Sequence, residues 1–302
     1  MPRPDPLVTD RPVTRPHPRR FEAIGTQWQI DTDRALTPAE WAAVTARIDG
    51  FDRTWSRFRA DSLVGGLAAG PATVEFPDEA VRLLEFYRRL YDGTAGAVTP
   101  LVGGTLADLG YDAGYRFTPS ATIRATPAWD EAMSWDGPVV TTTRPLVLDV
   151  GAAGKGYLVD IVGELLTSFG VGSFVVDGSG DLLHRGPDAL RVGLEHPADP
   201  TQVIGVVPLS DDALAASAGN RRRWAGLHHI LDPRTGEPVR DVVATWVVAG
   251  SAMVADGLAT AAFFTSPTQT RSLADSFGAD WLRVFADGSA TWSPTFEGEL
   301  FS

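Results

Sequence analysis

Strand-like and helix-like segments come in blocks along this chain rather than in strict alternation, and that order limits the fold more than any other feature. Residues 21–30 alternate like a half-buried strand and are interrupted at Gly25-Thr26, where a backbone could meet a ligand. Thr37-Pro38-Ala39-Glu40 is a capping box with proline at the first helical position. Trp41, Val44, Ile48, Phe51 and Trp55 then recur at spacings of three and four, which predicts a helix whose aromatics face the core. Pro77-Asp78-Glu79 predicts a second helix start, with Val81, Leu84, Tyr87 and Leu90 on one face. A third helix begins inside a glycine-rich loop near residue 154 and carries Leu158, Ile161, Val162, Leu165 and Phe169, with Gly170 as its C-cap. Strand-like runs follow at 174–177, 190–195, 203–209 and 213–217. Residues 227–231 and 242–248 flank the turn Asp232-Pro233-Arg234-Thr235-Gly236 and predict a hairpin with one longer arm. Ser251 can cap an apolar helix over 252–262, and 281–292 fold as a terminal hairpin. The pattern predicts an α+β fold, with largely antiparallel sheets flanked by helices in a two-lobed single unit, rather than a doubly wound one.

A chain of 302 residues, 44% hydrophobic, can bury one extended core or two subdomains. Residues 1–20 are rich in proline and arginine with no apolar run long enough for a signal-peptide core, so a disordered tail is expected ahead of a single domain at 21–302. No segment reaches about 18 uninterrupted apolar residues, which predicts no membrane span and a cytoplasmic location. The net charge of -12 argues against nucleic-acid or anionic-membrane partners, so an anionic ligand must be held by local geometry. The absence of cysteine removes disulfides, thiolate catalysis, Fe–S clusters and thiolate zinc sites.

One such local arrangement lies between Asp149 and Asp160, which contains the only lysine of the chain, Lys155, among glycines at 151, 154 and 156. A loop entering a helix presents free N–H groups and a positive dipole end, and Lys155 would add a mobile full charge, which together suit phosphate. The segment lacks the spacing of a P-loop, and no G-x-G-x-x-G or G-x-S-x-G is present. Asp256 and Thr260 stand four apart in an apolar helix and share one face. Their oxygens could hold a hard cation with a backbone carbonyl, or Asp256 could accept backbone hydrogen bonds while Thr260 bonds back within its helix; spacing leaves both open. His228 and His229 point to opposite faces if extended, so at most one serves a given site, as an acid/base or a metal ligand, and either could be a structural histidine. The small-residue loop at 96–104 suits a ligand wall or an ordinary connection equally.

In order from about residue 21 to 263, these segments resemble the FAD:protein FMN transferase family, the ApbE-like flavin transferases. Residues 149–160 are similar to that family's D-x-G-[GA]-x-x-K-G-Y-x-V-D, 228–236 to its H-H-I-[IL]-D-P-x-T-G, and 251–261 to its S-A-x-x-A-D-x-L-A-T-A. The resemblance implies that Asp256 and Thr260 are Mg²⁺ ligands completed by the Ala152 carbonyl. It implies flavin-nucleotide contacts at Ile24, Phe58, Ala97, Val98, Thr99, Asp149, Lys155 and Ile230, and a catalytic role for His229. Such enzymes split the FAD pyrophosphate, attach FMN to a Thr or Ser hydroxyl of a partner protein and release AMP. An FAD pyrophosphatase, or a flavin-binding module without catalysis, would use the same residues. The chain departs from the pattern at 215–220, where A-T-S-G-x-Y is usual, and at Ala68, where asparagine is common.

Overall fold

The computed structural model describes residues 16–220 and 223–301. Its centre is one eight-stranded sheet built from β1 (His17–Ala23), β2 (Thr26–Thr32), β3 (Phe174–Asp177), β4 (Asp181–Arg185), β5 (Ala213–Ala218), β6 (Val242–Ala249), β7 (Asp280–Phe285) and β8 (Ala290–Trp292), in that spatial order. Each strand is antiparallel to the next. Side chains alternate across it. Phe174, Val176, Leu183, Ala213, Ala215, Val247 and Trp281 face one core, while Val175, Leu182, Leu214, Trp246 and Leu282 face another.

The first core is closed by helices α1 (Pro38–Trp55), α2 (Ala80–Gly93), α3 (Gly154–Ser168) and α4 (Ala252–Ala261), all of which contribute buried residues to it. A short antiparallel sheet of Ala72–Glu75, Val139–Thr142 and Met133–Asp136 supplies Met133 and Val140 to the same cluster. On the opposite face, the strands Leu190–His196, Asp199–Leu209 and Glu299–Leu300 form a three-stranded cover whose Leu190, Val192, Leu194, Val207 and Leu209 complete the second core. The α+β class with largely antiparallel sheets, expected from the block order, is what the chain adopts.

The start of α1 follows from its sequence. The Thr37 hydroxyl accepts from the Glu40 N–H at 3.2 Å, and Glu40 Oε2 accepts from the Thr37 N–H at 2.8 Å, which satisfies amides the first turn would otherwise leave open. Thr37→Ala is expected to cost about 1 kcal/mol, read as a lower thermal midpoint with unchanged catalytic constants; an unchanged midpoint would show that the cap contributes nothing. Farther along, Ser251 accepts from the Val254 N–H and caps α4, and Gly170 takes φ 73 after α3, both as the sequence predicts.

Two expectations are corrected. Residues 17–20 are not tail: His17 to Arg20 pair with Thr32 to Gln29 in β1, Arg20 Nε donates to Gln29 Oε1 at 2.6 Å, and the Arg19 guanidinium lies over Trp41. An edge strand tolerates Pro18 because a missing donor there breaks no ladder. The tail expected over 1–15 falls outside the described residues. The second correction concerns 227–231 and 242–248, which do not pair. Leu227–His228 pairs with Arg223–Trp224, and Leu231–Asp232 with Glu237–Pro238, whereas β6 lies in the centre of the main sheet between β5 and β7. β6 is apolar on both faces, so it gains more by burial between two cores than as one arm of an exposed hairpin.

Candidate active site

The loop between Leu148 and α3 is fixed by its backbone. The Asp149 N–H donates to the Pro100 carbonyl at 2.8 Å, the Gly151 N–H to Asp149 Oδ1 at 2.7 Å, and the Gly154 N–H to the Val150 carbonyl at 2.7 Å. The Ala152 N–H donates to the Tyr87 hydroxyl of α2 at 3.2 Å. α3 then meets α4 so closely that a Cβ on Gly156 would lie 2.1 Å from the Ala252 carbonyl oxygen, which explains the glycine.

That contact brings the predicted cation ligands together. Asp256 is buried, and its Oδ2 accepts from the Gly156 N–H at 3.0 Å. One helical turn later, the Thr260 hydroxyl points out of its own helix and donates to the Ala152 carbonyl at 3.5 Å. Of the two readings left open by spacing, back-bonding of Thr260 within α4 is therefore not what occurs. Asp256 does accept a backbone hydrogen bond, but from a different helix.

Lys155 is not a mobile charge. Its Nζ lies 2.6 Å from Asp181 Oδ2, with the lysine side chain 18% exposed and the aspartate 1%. Asp181 opens β4 directly after the turn at 178–180, where Ser179 and Gly180 have φ 64 and 104 and the Gly180 N–H donates to Asp177 Oδ1 at 3.1 Å. Burial pushes the Asp256 carboxyl well above its usual range; the negative charge of Asp181 adds to the shift, and Lys155 opposes it. Burial likewise raises Asp177, against the Gly180 N–H and Lys155. Tyr87 is raised well above a free phenol, by burial first and by the charges of Asp149 and Asp256 next.

Asp149 is held by Arg57, whose Nε donates to Oδ2 at 2.5 Å while Nη1 donates to the Tyr111 carbonyl at 2.8 Å. The same guanidinium lies 4.2 Å above the Phe58 ring and 4.9 Å from that of Tyr111. Phe58 stacks on Tyr115 at 5.3 Å, and Tyr111 stacks on Trp224, so an aromatic group adjoins the loop. The side chains of Ala97 and Val98 belong to the core, which leaves their backbone as the part able to meet a ligand; the Thr99 hydroxyl caps the short turn at Pro100–Val102.

The segment after Trp224 links this group to the end of α4. Leu231 packs with Tyr111 and Trp224, while Ile230 is buried with Val242 and Phe263. His228 Nε2 is 2.7 Å from the Val239 carbonyl, and His229 is half-buried next to Ile230. Arg234 pairs with Asp232 at 2.6 Å and donates to the Thr94 carbonyl at 3.3 Å, tying this motif to the 94–99 loop. Ile24 sits at the β1–β2 tip with φ 45 beside Gly25 at φ 75, an unusual conformation for a β-branched residue. Registers place that tip at the same end of the sheet as the 178–180 turn.

Three site residues were not singled out from sequence: Asp181, Arg57 and Tyr87. Asp181 had a usable signal, an acid immediately after a Gly-Ser-Gly turn closing a buried strand. Arg57 and Tyr87 had none, because their partners lie 92 and 65 residues away. Ala68 is exposed at the exit of the short helix Leu63–Gly66, and Ala216 donates its N–H to the Gly180 carbonyl, beside Asp181.

The chain is thus an α+β protein that gathers a lysine, two buried carboxylates, a hydroxyl and a backbone carbonyl at a helix entrance. The chain belongs to the ApbE family, which matches it over residues 24–282. It is 27% identical to an FAD:protein FMN transferase of Rhodobacter capsulatus over 96% of this chain, although it spans only 60% of that protein's length. It is 24% identical to a protein of the same description from Klebsiella pneumoniae over 91% of this chain and 87% of that protein. Two solved structures share the fold. The Thermotoga maritima ApbE protein superposes with a TM-score of 0.78 at 24% identity, covering 92% of this chain and 97% of that one. The flavin transferase ApbE of Vibrio cholerae gives a TM-score of 0.74 at 20% identity, covering 91% and 96%. Among the described residues, no helix is long and apolar enough to cross a membrane.

Proposed function

We propose that the chain transfers FMN from FAD to a Thr or Ser hydroxyl of a partner protein in a Mg²⁺-dependent reaction. The acceptor oxygen forms a bond to the FMN phosphorus, the pyrophosphate P–O bond breaks, and AMP leaves. The observation that carries this reading is that two side chains of α4 meet the entrance of α3, Asp256 at the Gly156 N–H and Thr260 at the Ala152 carbonyl. The FAD:protein FMN transferases among its relatives support it.

The donor set fits a hard divalent cation. Asp256 offers a buried carboxylate whose charge is poorly compensated, and Thr260 and Ala152 offer neutral oxygens beside it. Among the described residues no three His, Asp or Glu side chains form a metal cluster, so a cation here would draw its remaining ligands from water and phosphate oxygens, as Mg²⁺ does. When bound, the cation would neutralise pyrophosphate charge and align the phosphorus for in-line attack.

The remaining roles belong to the chain. Lys155, fixed by Asp181, would meet the pyrophosphate. Arg57 would hold Asp149 toward the nucleotide, and Phe58 would supply a ring face beside it. The backbone of Ala97, Val98 and Thr99, with Ile24 and Ile230, would bound the ligand. His229 would take the acceptor hydroxyl proton, with His228 kept away by the Val239 carbonyl.

The test combines the protein with FAD, Mg²⁺ and acceptor proteins carrying an exposed Thr or Ser. Flavin fluorescence that stays with the acceptor after denaturation, with AMP in equal amount, is the expected result. FMN and AMP released at a rate indifferent to acceptor would make it a pyrophosphatase, and binding without turnover would make it a flavin-binding module.

The carboxyl shift adds a pH prediction. Asp256 has a folded pKa above its unfolded value of about 3.9, so the folded state binds more protons than the unfolded state between the two values. Stability without metal is then greatest below the unfolded pKa and declines as pH rises toward the folded one. A divalent cation competes with that proton, so the Mg²⁺-induced rise in thermal midpoint should grow as pH rises above the ordinary carboxylate range. A rise independent of pH would show that Asp256 is not the ligand that ionises.

A further inference from the structure

α4 carries Asp256 and Thr260, and buried polar groups from three other elements hold both of its ends. At the N-terminus, Asp160 of α3 accepts from the Ala252 N–H at 2.7 Å, the Met253 N–H at 2.9 Å and the Ser251 hydroxyl at 2.6 Å. Those are first-turn amides with no partner inside the helix, and a carboxylate is favoured there by the dipole. At the C-terminus, Arg283 of β7, only 1% exposed, donates from Nη1 to the carbonyls of Ala262 at 3.2 Å and Thr265 at 2.5 Å and to the Thr270 hydroxyl at 3.3 Å.

A fully buried arginine normally sits against a carboxylate, because an uncompensated buried charge is costly. Among the described residues Arg283 bonds only carbonyl and hydroxyl oxygens, and its Nε and Nη2 have no hydrogen-bond partner. What faces it is the negative end of α4, with the Trp281 and Phe285 rings 5.4 and 5.2 Å from its guanidinium. Thr245 of β6 lies directly opposite Arg283 in the sheet, is fully buried, and donates to the Ala259 carbonyl at 2.7 Å. That carbonyl is one of the last four of the helix, and the Phe263 N–H that could have bonded it goes to the Thr260 carbonyl instead.

We propose that Arg283, with Thr245 across the sheet and Asp160 at the opposite end, fixes the axial position of α4, making Arg283 a positioning residue for Asp256 and Thr260. This rests on the reading of those two as cation ligands. The magnitudes favour it. A helix advances about 1.5 Å per residue, whereas cation–oxygen distances tolerate about 0.2 Å. A slide of α4 by a fraction of one residue would therefore move Thr260 off the Ala152 carbonyl.

The experiment titrates Mn²⁺ into the full chain and reads free Mn²⁺ by its paramagnetic resonance, alongside FAD affinity measured in chelator. Arg283→Met should raise the Mn²⁺ dissociation constant about 10- to 100-fold with FAD affinity in chelator unchanged. Arg283→Lys, which keeps a cation for the carbonyls, should recover most of the loss. Wild-type Mn²⁺ affinity in folded Arg283→Met overturns the proposal, as does a loss that Arg283→Lys does not recover. Should Arg283→Met not fold, Thr245→Val carries the same expectation, and wild-type affinity there overturns it. Asp256→Ala is the separate control: if it binds Mn²⁺ like the wild type, the cation reading itself has failed, whatever Arg283 does.

Discussion

Asp256→Ala is expected to lower kcat/KM for FMN transfer by about 10³-fold, since a cation at a transferring phosphoryl group supplies several kcal/mol of charge stabilisation. The carboxylate is the one ionisable group of the proposed ligand set, because Thr260 and the Ala152 carbonyl bring neutral oxygens. The same residue makes an opposite prediction for stability. Its carboxyl is pushed up by burial and by Asp181, so its ionised form destabilises the metal-free fold at neutral pH. Alanine removes the charge but leaves the Gly156 N–H without an acceptor, at a cost of about 1–3 kcal/mol. Asp256→Asn keeps an oxygen for that N–H and should raise the thermal midpoint while transfer and the Mg²⁺-induced midpoint shift are both lost. A more stable protein with less activity is the signature of a group kept for function. Retained transfer in both variants, measured as covalent flavin on the acceptor, would remove Asp256 from the reaction.

What could be seen in advance follows the range of the interactions. The capping box of α1 and the four-residue spacing of Asp256 and Thr260 are local, and both survive as geometry. Strand positions were legible at 174–177 and 213–217, since short β-branched or small-residue runs bounded by turns state their own length. Pairing was not. Val242–Ala249 is buried on both faces and carries no period-two pattern to say which neighbour it takes, so a nearby turn suggested a hairpin that the two cores override. Arg57 with Asp149, Lys155 with Asp181 and Thr245 with Ala259 join residues from different elements. No property of either partner announces the other. Ile24 marks a third kind of limit, because its left-handed backbone is imposed by the β1–β2 register and contradicts the preference of the residue itself.

Lys155→Met carries the second large effect, and the Asp181 pair decides how to interpret it. Removing one partner of a buried ion pair costs about 3–5 kcal/mol, because the other charge is stranded. Here the stranded group would be Asp181, 1% exposed and already beside Asp256. A loss of activity in Lys155→Met alone could therefore reflect a strained site rather than a missing contact to the nucleotide. The double variant Lys155→Met/Asp181→Asn removes the stranded charge and should recover most of the lost stability. If the lysine meets the pyrophosphate, the double variant stays about 10²- to 10³-fold slower, the cost of losing one positioned group that stabilises developing charge. If instead the double variant regains wild-type transfer, Lys155 serves only to neutralise Asp181, and the phosphate is held by the amides at the start of α3 and by the cation. The two outcomes differ in rate while predicting the same stability, so activity and denaturant unfolding measured on the wild type, Lys155→Met, Asp181→Asn and the double variant separate them.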